Sequence, residues 1–341
     1  MGGSFSSPTE EKRPLEKEKI TKKDNREKKG MRALTICAAV QNDESTKQLW
    51  KLWYEIDQLP LQGMTNEKTT NYLRGYSWAA LRTNFNVKRL MFDAGLSSNI
   101  TADYLFLTHG HSDHAASLYF HTLTKDIIIY APIEIIPLVE DLLRTTFQLS
   151  DFGVPFDRQL AKYSLVGVKP DDNNEIIITH NGKPHLVKIY KNDHSVPCVS
   201  YGICESVKKL KKDFQHLIDQ NMGSEVGRLR KEGVIVDDIS YIPRFVYIGD
   251  TSEKVFEINP ELFEYRDIIV ECTFLFEDDL DQATVTKHCH FSRLRPYITA
   301  HPECRFILYH FSLRYSPRDI ELFFAEDGPN FEKNVYPWIS S

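Results

Sequence analysis

Within six positions the chain places His109, His111, Asp113 and His114. Each offers an atom suited to zinc or a related divalent ion, either a neutral imidazole nitrogen or a carboxylate oxygen. Directly before them runs Tyr104-Leu105-Phe106-Leu107-Thr108, largely apolar and β-prone. A lone histidine on an apolar face is ordinarily a satisfied core residue. Packing does not select three histidines and an aspartate beside a buried strand, because burying such groups without partners is costly. The same arrangement recurs twice. Phe245-Val246-Tyr247-Ile248 leads into Gly249-Asp250-Thr251, and Phe306-Ile307-Leu308-Tyr309 leads into His310-Phe311-Ser312. Metal-type ligands at the ends of several strands converge on one edge of a sheet, where α/β folds build their sites.

Those strands must alternate with helices for this to work, and the pattern from Tyr72 onward is α/β. Residues 87–92 read as a strand leading into Asp93-Ala94-Gly95, and 104–107 and 127–130 as further short strands. Residues 133–147 carry apolar positions at the helical period. Short apolar runs at 245–248, 268–270 and 306–309 read as strands, and 318–325 as a helix. No internal repeat is present.

The chain has 341 residues, 41% of them hydrophobic, enough to bury a full core. Its formal charge of −6 argues against a general nucleic-acid coat protein, so any RNA contact must come from local basic patches or from metal ions. Cys37, Cys198, Cys204, Cys272, Cys289 and Cys304 are scattered without a CxxC pair, which fits a reducing, intracellular setting (cytoplasm or nucleus). No apolar run reaches the ~20 residues that span a bilayer, so stable membrane insertion is not expected. Residues 1–30 are polar and are expected to be a disordered tail. Its opening, Met1-Gly2-Gly3-Ser4-Phe5-Ser6, fits the pattern for N-myristoylation at Gly2, although interleaved acidic residues favour a simply solvated tail. Residues 31–70 include a candidate strand at 32–40 and the aromatic cluster Trp50, Trp53 and Tyr54, an extension expected to pack on the main domain.

In order along the chain stand Phe92-Asp93-Ala94-Gly95, the HxHxDH run from His109 to His114, His194-Ser195-Val196-Pro197, Gly249-Asp250-Thr251, Glu271-Cys272-Thr273-Phe274, His288-Cys289-His290 and His310-Phe311-Ser312-Leu313-Arg314-Tyr315. HxHxDH after an apolar strand is the signature of the metallo-β-lactamase superfamily, and the whole series resembles ribonuclease Z, the endonuclease that trims tRNA 3′ ends. The likeness is to the short form found in plants and covers about residues 72–316, with the ECTF box and the HFSxRY ending favouring this family.

The resemblance implies an α/β fold of αββα sandwich type, two mixed β-sheets flanked by helices, over residues 71–341. It implies two divalent metal ions, zinc first and manganese as the alternative. One would be held by His109, His111 and His194, and the other by Asp113, His114 and His310, with Asp250 between them. Asp113 would also orient or deprotonate the attacking water. Asp93 fits as a supporting carboxylate rather than a ligand. Glu271 and His288 would form the dyad that protonates the leaving oxygen, with His290 open as the alternative acid; Lys287 stands where the family pattern has glycine. Arg314 and Tyr315 either hold the His310 loop or touch phosphate.

A charged insertion at about 205–238, with Lys208, Lys209, Lys211, Lys212, Arg228, Arg230 and Lys231, is expected to be basic and to meet RNA backbone. Precursor tRNA as substrate and a homodimer follow from the resemblance. The alternatives are another hydrolase of the same fold, acting on a small phosphodiester, thioester or lactone, and a non-catalytic RNA-binding protein.

Overall fold

The computed structural model describes residues 73–76, 84–87, 89–95, 102–123, 125–170, 175–180 and 182–339. All of them belong to one compact unit, Ile56–Ser341. The polar tail with Gly2, the candidate strand at 32–40 and the aromatic cluster at 50–54 lie outside the described residues.

Two sheets carry the fold. The first holds β1 (Leu73–Tyr76), β2 (Asn84–Val87), β3 (Leu90–Phe92), β4 (Tyr104–Phe106), β5 (Ile127–Pro132) and β6 (Tyr163–Val168) in sequential order. The second holds β7 (Ile176–His180), β8 (Lys183–Lys191), β9 (Val199–Leu210), β10 (Asp237–Tyr247), β11 (Asp267–Glu271), β12 (Arg305–Tyr309) and β13 (Val335–Pro337). Both are mixed. The run from β3 to β6 is parallel, as is the run from β10 to β13, and the remaining pairings are antiparallel.

Alternation along the strands builds the layers, since successive side chains point to opposite faces. Phe92, Phe106, Phe245, Tyr247, Ile269, Ile307 and Tyr309 fill the space between the sheets. Their neighbours Met91 and Leu105 face the helical layer with Val139 and Leu143 of the helix Ile136–Ser150. On the other side Val246, Ile268, Phe306 and Leu308 meet Phe291, Leu294 and Ile298 of the helix Phe291–Ala300. A period of two with both faces apolar thus produces helix, sheet, sheet, helix, the αββα arrangement.

Several readings shift in detail. The span 87–92 is not one strand: the chain reverses within it, so that Val87 pairs with Leu90 across an antiparallel hairpin. The charged Lys88-Arg89 pair interrupts the apolar run in the sequence, and Arg89 lies in the turn before β3. The helix at 133–147 begins as a 3₁₀ turn over Ile133–Ile135 and extends to Ser150. The insertion at about 205–238 is a two-stranded extension of β9 and β10 capped by the helices Lys212–Asp219 and Gly223–Lys231. Leu217, Val226 and Val236 give it a small core of its own. Its basic character is cancelled, because Glu205, Asp213, Asp219, Glu225, Glu232, Asp237 and Asp238 match its seven lysines and arginines. Arg228 pairs with Glu225 and Glu232, and Arg230 with Asp237.

Candidate metal centre and catalytic site

Parallel strands bring their C-terminal ends to one edge, and the chemistry gathers there. His109 to His114 follow β4, Asp250 follows β10, Glu271 closes β11, His310 follows β12, and His194 follows β8. The two sheets are tied at this edge by buried hydroxyls: Tyr201 donates to the Leu107 carbonyl at 2.7 Å and Tyr247 to Asp93 Oδ2 at 2.9 Å. Within the second sheet, Tyr309 donates to the Ile248 carbonyl at 2.7 Å. Gly249 is required by a close approach: a Cβ there would fall 2.6 Å from the Thr108 Cβ, so any side chain would push Asp250 away from His109.

The structure gathers all seven residues named as ligands. His109, His111, His194 and Asp250 form one group, and Asp113, His114, Asp250 and His310 form a second, with Asp250 common to both. His114 Nε2 lies 3.3 Å from Asp250 Oδ1 and 3.2 Å from His310 Nε2. His310 Nε2 lies 3.3 Å from Asp113 Oδ2, and His194 Nε2 lies 3.4 Å from His111 Nδ1. His109 Nε2 stands 3.7 Å from Asp250 Oδ2.

Two features of this packing fit divalent cations. Zinc–nitrogen bonds of about 2.0–2.1 Å in a tetrahedron set neighbouring donor atoms ~3.3 Å apart, close to the separations found. His109 Nε2 is also fully buried and makes no hydrogen bond, a costly state that a metal ion would relieve.

Behind the ligands, two threonines arrange the protons. Thr108 Oγ1 lies 3.0 Å from Asp93 Oδ1 and 3.0 Å from His109 Nδ1. A hydroxyl has one proton and an ionised carboxylate only accepts, so Thr108 donates to Asp93 and accepts from His109 Nδ1–H. That tautomer leaves His109 Nε2 with a bare lone pair facing the site. The arrangement repeats on the opposite wall, where Thr273 Oγ1 donates to Glu271 Oε2 at 2.8 Å and accepts from His310 Nδ1 at 3.0 Å. His114 Nδ1 meets Asp93 Oδ2 directly at 2.8 Å. The sequence contained both threonines, one just before His109 and one within the ECTF box, but only their contacts reveal this work.

His288 Nδ1 sits 2.8 Å from Glu271 Oε1. Although burial opposes protonation, the Glu271 carboxylate and then Asp250 push the His288 pKa up to about 9. Burial drives His109 well below its ordinary value and also lowers His194. Asp250 is held well below the usual carboxylate range; burial opposes this, and His114 and His310 overcome it. His290 is not on the surface. It is buried, its Nδ1 accepts from the Ser292 N–H to cap the helix Phe291–Ala300, and its Nε2 lies 2.9 Å from the Phe276 carbonyl. Both of its ring nitrogens are thereby occupied.

Arg314 and Tyr315 hold a loop. Both reach Asp279, at 2.5 Å each, and Tyr315 Oη also accepts from the Leu275 N–H at 3.2 Å. This clamps the turn after His310 to the segment leading to His288.

No family model matches the chain. It is 28% identical over 253 residues to tRNase Z TRZ1 of Arabidopsis thaliana, covering 73% of this chain and 87% of that protein. It is 26% identical over 243 residues to the chloroplastic tRNase Z TRZ2 of the same plant, covering 68% of this chain and 64% of that one. Among solved structures it is similar to human tRNase Z, short form, at 17% identity, with a TM-score of 0.46, covering 78% of this chain and 94% of that chain.

Proposed function

Taking as premise that this chain is a short-form ribonuclease Z relative within the metallo-β-lactamase superfamily, we propose that it is a metal-dependent endoribonuclease that removes the 3′ trailer from precursor tRNA. The observation that carries the reading is the single cluster of seven side chains, far apart in sequence, with Asp250 shared between its two halves. His109, His111 and His194 hold one divalent ion, and Asp113, His114 and His310 hold the other. Zinc suits the nitrogen-rich donors, and manganese is the alternative. When bound, such a pair supplies Lewis acidity toward the phosphodiester and makes hydrolytic water acidic at neutral pH.

The chain's own residues do the rest. Asp113 is the more exposed of the two carboxylates among the proposed ligands, and it orients the attacking water. Glu271 favours the protonated form of His288. Glu271 occupies Nδ1 and leaves Nε2–H as the remaining donor, directed to the departing oxygen. His290, with both ring nitrogens engaged, serves the fold instead. The products are a tRNA 3′-hydroxyl and a trailer 5′-phosphate. In the arm at 205–238, Lys208, Lys209, Lys212 and Lys231 remain for backbone phosphates, since its arginines are paired internally and Lys211 lies beside Asp238. We place the protein inside the cell, in cytoplasm or nucleus, as a homodimer. Among the described residues no helix is long and apolar enough to cross a membrane.

The test is incubation of purified protein with a 3′-extended tRNA, with and without chelator, mapping the cut to the nucleotide. Cleavage at the end of the tRNA body that chelator abolishes is expected. Turnover of a bis-aryl phosphodiester with the tRNA left intact would defeat the assignment.

A further inference from the structure

Lys287 follows the helix Leu280–Thr286 in the left-handed region, at φ 55°. A Cβ crowds the backbone there, and glycine or asparagine is the usual occupant. Among the described residues, five that are not glycine have positive φ, and three of them, Asp93, Lys287 and His310, lie at this site. Strained conformations persist where surrounding contacts over-determine them. For Lys287 those contacts are specific.

Its ammonium meets Asp193 Oδ1 at 2.8 Å. Asp193 Oδ2 accepts from Ser252 Oγ at 2.7 Å, and the Asp193 N–H donates to Thr251 Oγ1 at 3.0 Å. Asp193 therefore joins the loop of His194, the loop of Asp250 and the residue preceding His288. The Lys287 carbonyl also faces His194 Nδ1 at 3.4 Å, and the imidazoles of His194 and His288 stand 5.2 Å apart. Lys287 thus touches the His194 loop twice, by side chain to the residue before the histidine and by backbone to its ring. His194 needs this help, since it lacks the buried threonine or carboxylate that seats His109, His114 and His310.

We propose that Lys287 is a positioning residue, a latch whose ion pair with Asp193 seats His194 in the metal centre and holds His288 beside it. The proposal rests on the two-metal reading of the site.

The test uses the full chain loaded with zinc and four variants: Lys287→Gly, Lys287→Ala, Asp193→Asn and the Lys287→Ala/Asp193→Asn double variant. Zinc release to a chromogenic chelator is followed alongside thermal melting, neither of which requires RNA. Glycine relieves the backbone, so Lys287→Gly melts no lower than Lys287→Ala. Both nevertheless release one of the two ions about tenfold faster than the parent. The double variant is no worse than the worse single change, as expected for two halves of one contact.

If Lys287→Gly holds both ions as firmly as the parent, the latch is overturned. A raised KM for precursor tRNA with unchanged kcat and unchanged release would also overturn it, placing the ammonium on substrate instead. A parent chain that loads zinc but leaves tRNA uncut would sink only the substrate assignment, because release is read independently.

Discussion

The two walls of the site are built differently. The deep wall, His109, His114, Asp250 and His310, is buried almost completely, and its three histidines are each fixed through Nδ1 by a threonine or carboxylate inside the sandwich. The rim, His111, Asp113 and His194, is carried on loop and first-turn positions; His111 and Asp113 are half-buried, and His194 is 9% exposed against 0–2% for the deep wall. His194 is oriented only by a long contact to a backbone carbonyl. Strand packing therefore presets the deep ligands, while the rim depends on loop-to-loop contacts such as Lys287 with Asp193. Preorganisation of this kind lowers the cost of gathering like donors, since the buried polar atoms are already held when a cation arrives.

The sharpest break in this comparison comes at the residue both halves share. Asp250→Ala should lower activity at least ~10³-fold and leave less than one ion per chain by elemental analysis, because it removes a donor from each half together with the carboxylate charge they share. Retention of two ions would show that the halves are independent.

Next in size is the acid. His288→Ala should reduce kcat by about 10²–10⁴ with both metals retained. His290→Ala should instead lower the melting temperature through loss of a helix cap, with the pH profile unchanged. The pairing of His288 with Glu271 can be read directly in metal-free protein by histidine NMR. His288 should keep its proton up to about pH 9, and Glu271→Gln should bring that value down. The sign follows from linkage. A raised pKa means the pairing stabilises the fold fully below the ordinary value of 6.5, and that contribution is lost as pH rises through about 9. A titration near 6.5 in the parent would show that Glu271 does not hold the proton on His288.

The relays behind the deep wall come third. Thr273→Val and Thr108→Val keep shape but delete a hydroxyl, freeing the histidine to adopt the other tautomer. Each should weaken metal binding by about 10–100-fold. Equal metal affinity in the valine variants would show that the threonines merely fill space.

Much of this was legible in the sequence because ligand chemistry and strand periodicity are local signals. The HxHxDH run, the apolar strands before it and the later Asp250 and His310 announced both a sheet edge and its load. Thr108, Thr273 and Asp193 were not legible in those roles. Their partners lie up to 94 positions away, as with Lys287 and Asp193, and nothing in composition marks a threonine as a proton relay. The insertion at 205–238 misled for a related reason. Its lysines and arginines stand in visible runs, whereas the acids that pair with the arginines stand three, four and seven positions away, at spacings that become neighbours only once the helix and the strand after it form.

The smallest effect should come from the tie between the sheets. Tyr247 reaches from β10 across the inter-sheet core and donates to Asp93 Oδ2, the same oxygen that His114 Nδ1 meets. Tyr247→Phe keeps the ring and its packing against Phe92, so no cavity forms. The loss is one donor to a buried carboxylate that still receives the Thr108 N–H at 2.8 Å, together with the hydroxyl contact to Tyr309. A hydrogen bond to a charged group contributes about 1.5–3 kcal/mol, and the remaining donors to Asp93 should hold the loss to the low end. Chemical denaturation should therefore show a drop of about 1–2 kcal/mol, with metal content unchanged. If this variant instead lost metal as readily as the threonine variants, the inter-sheet tie would belong to the ligand-orienting machinery, and the deep wall would be only as rigid as the contact between its two sheets.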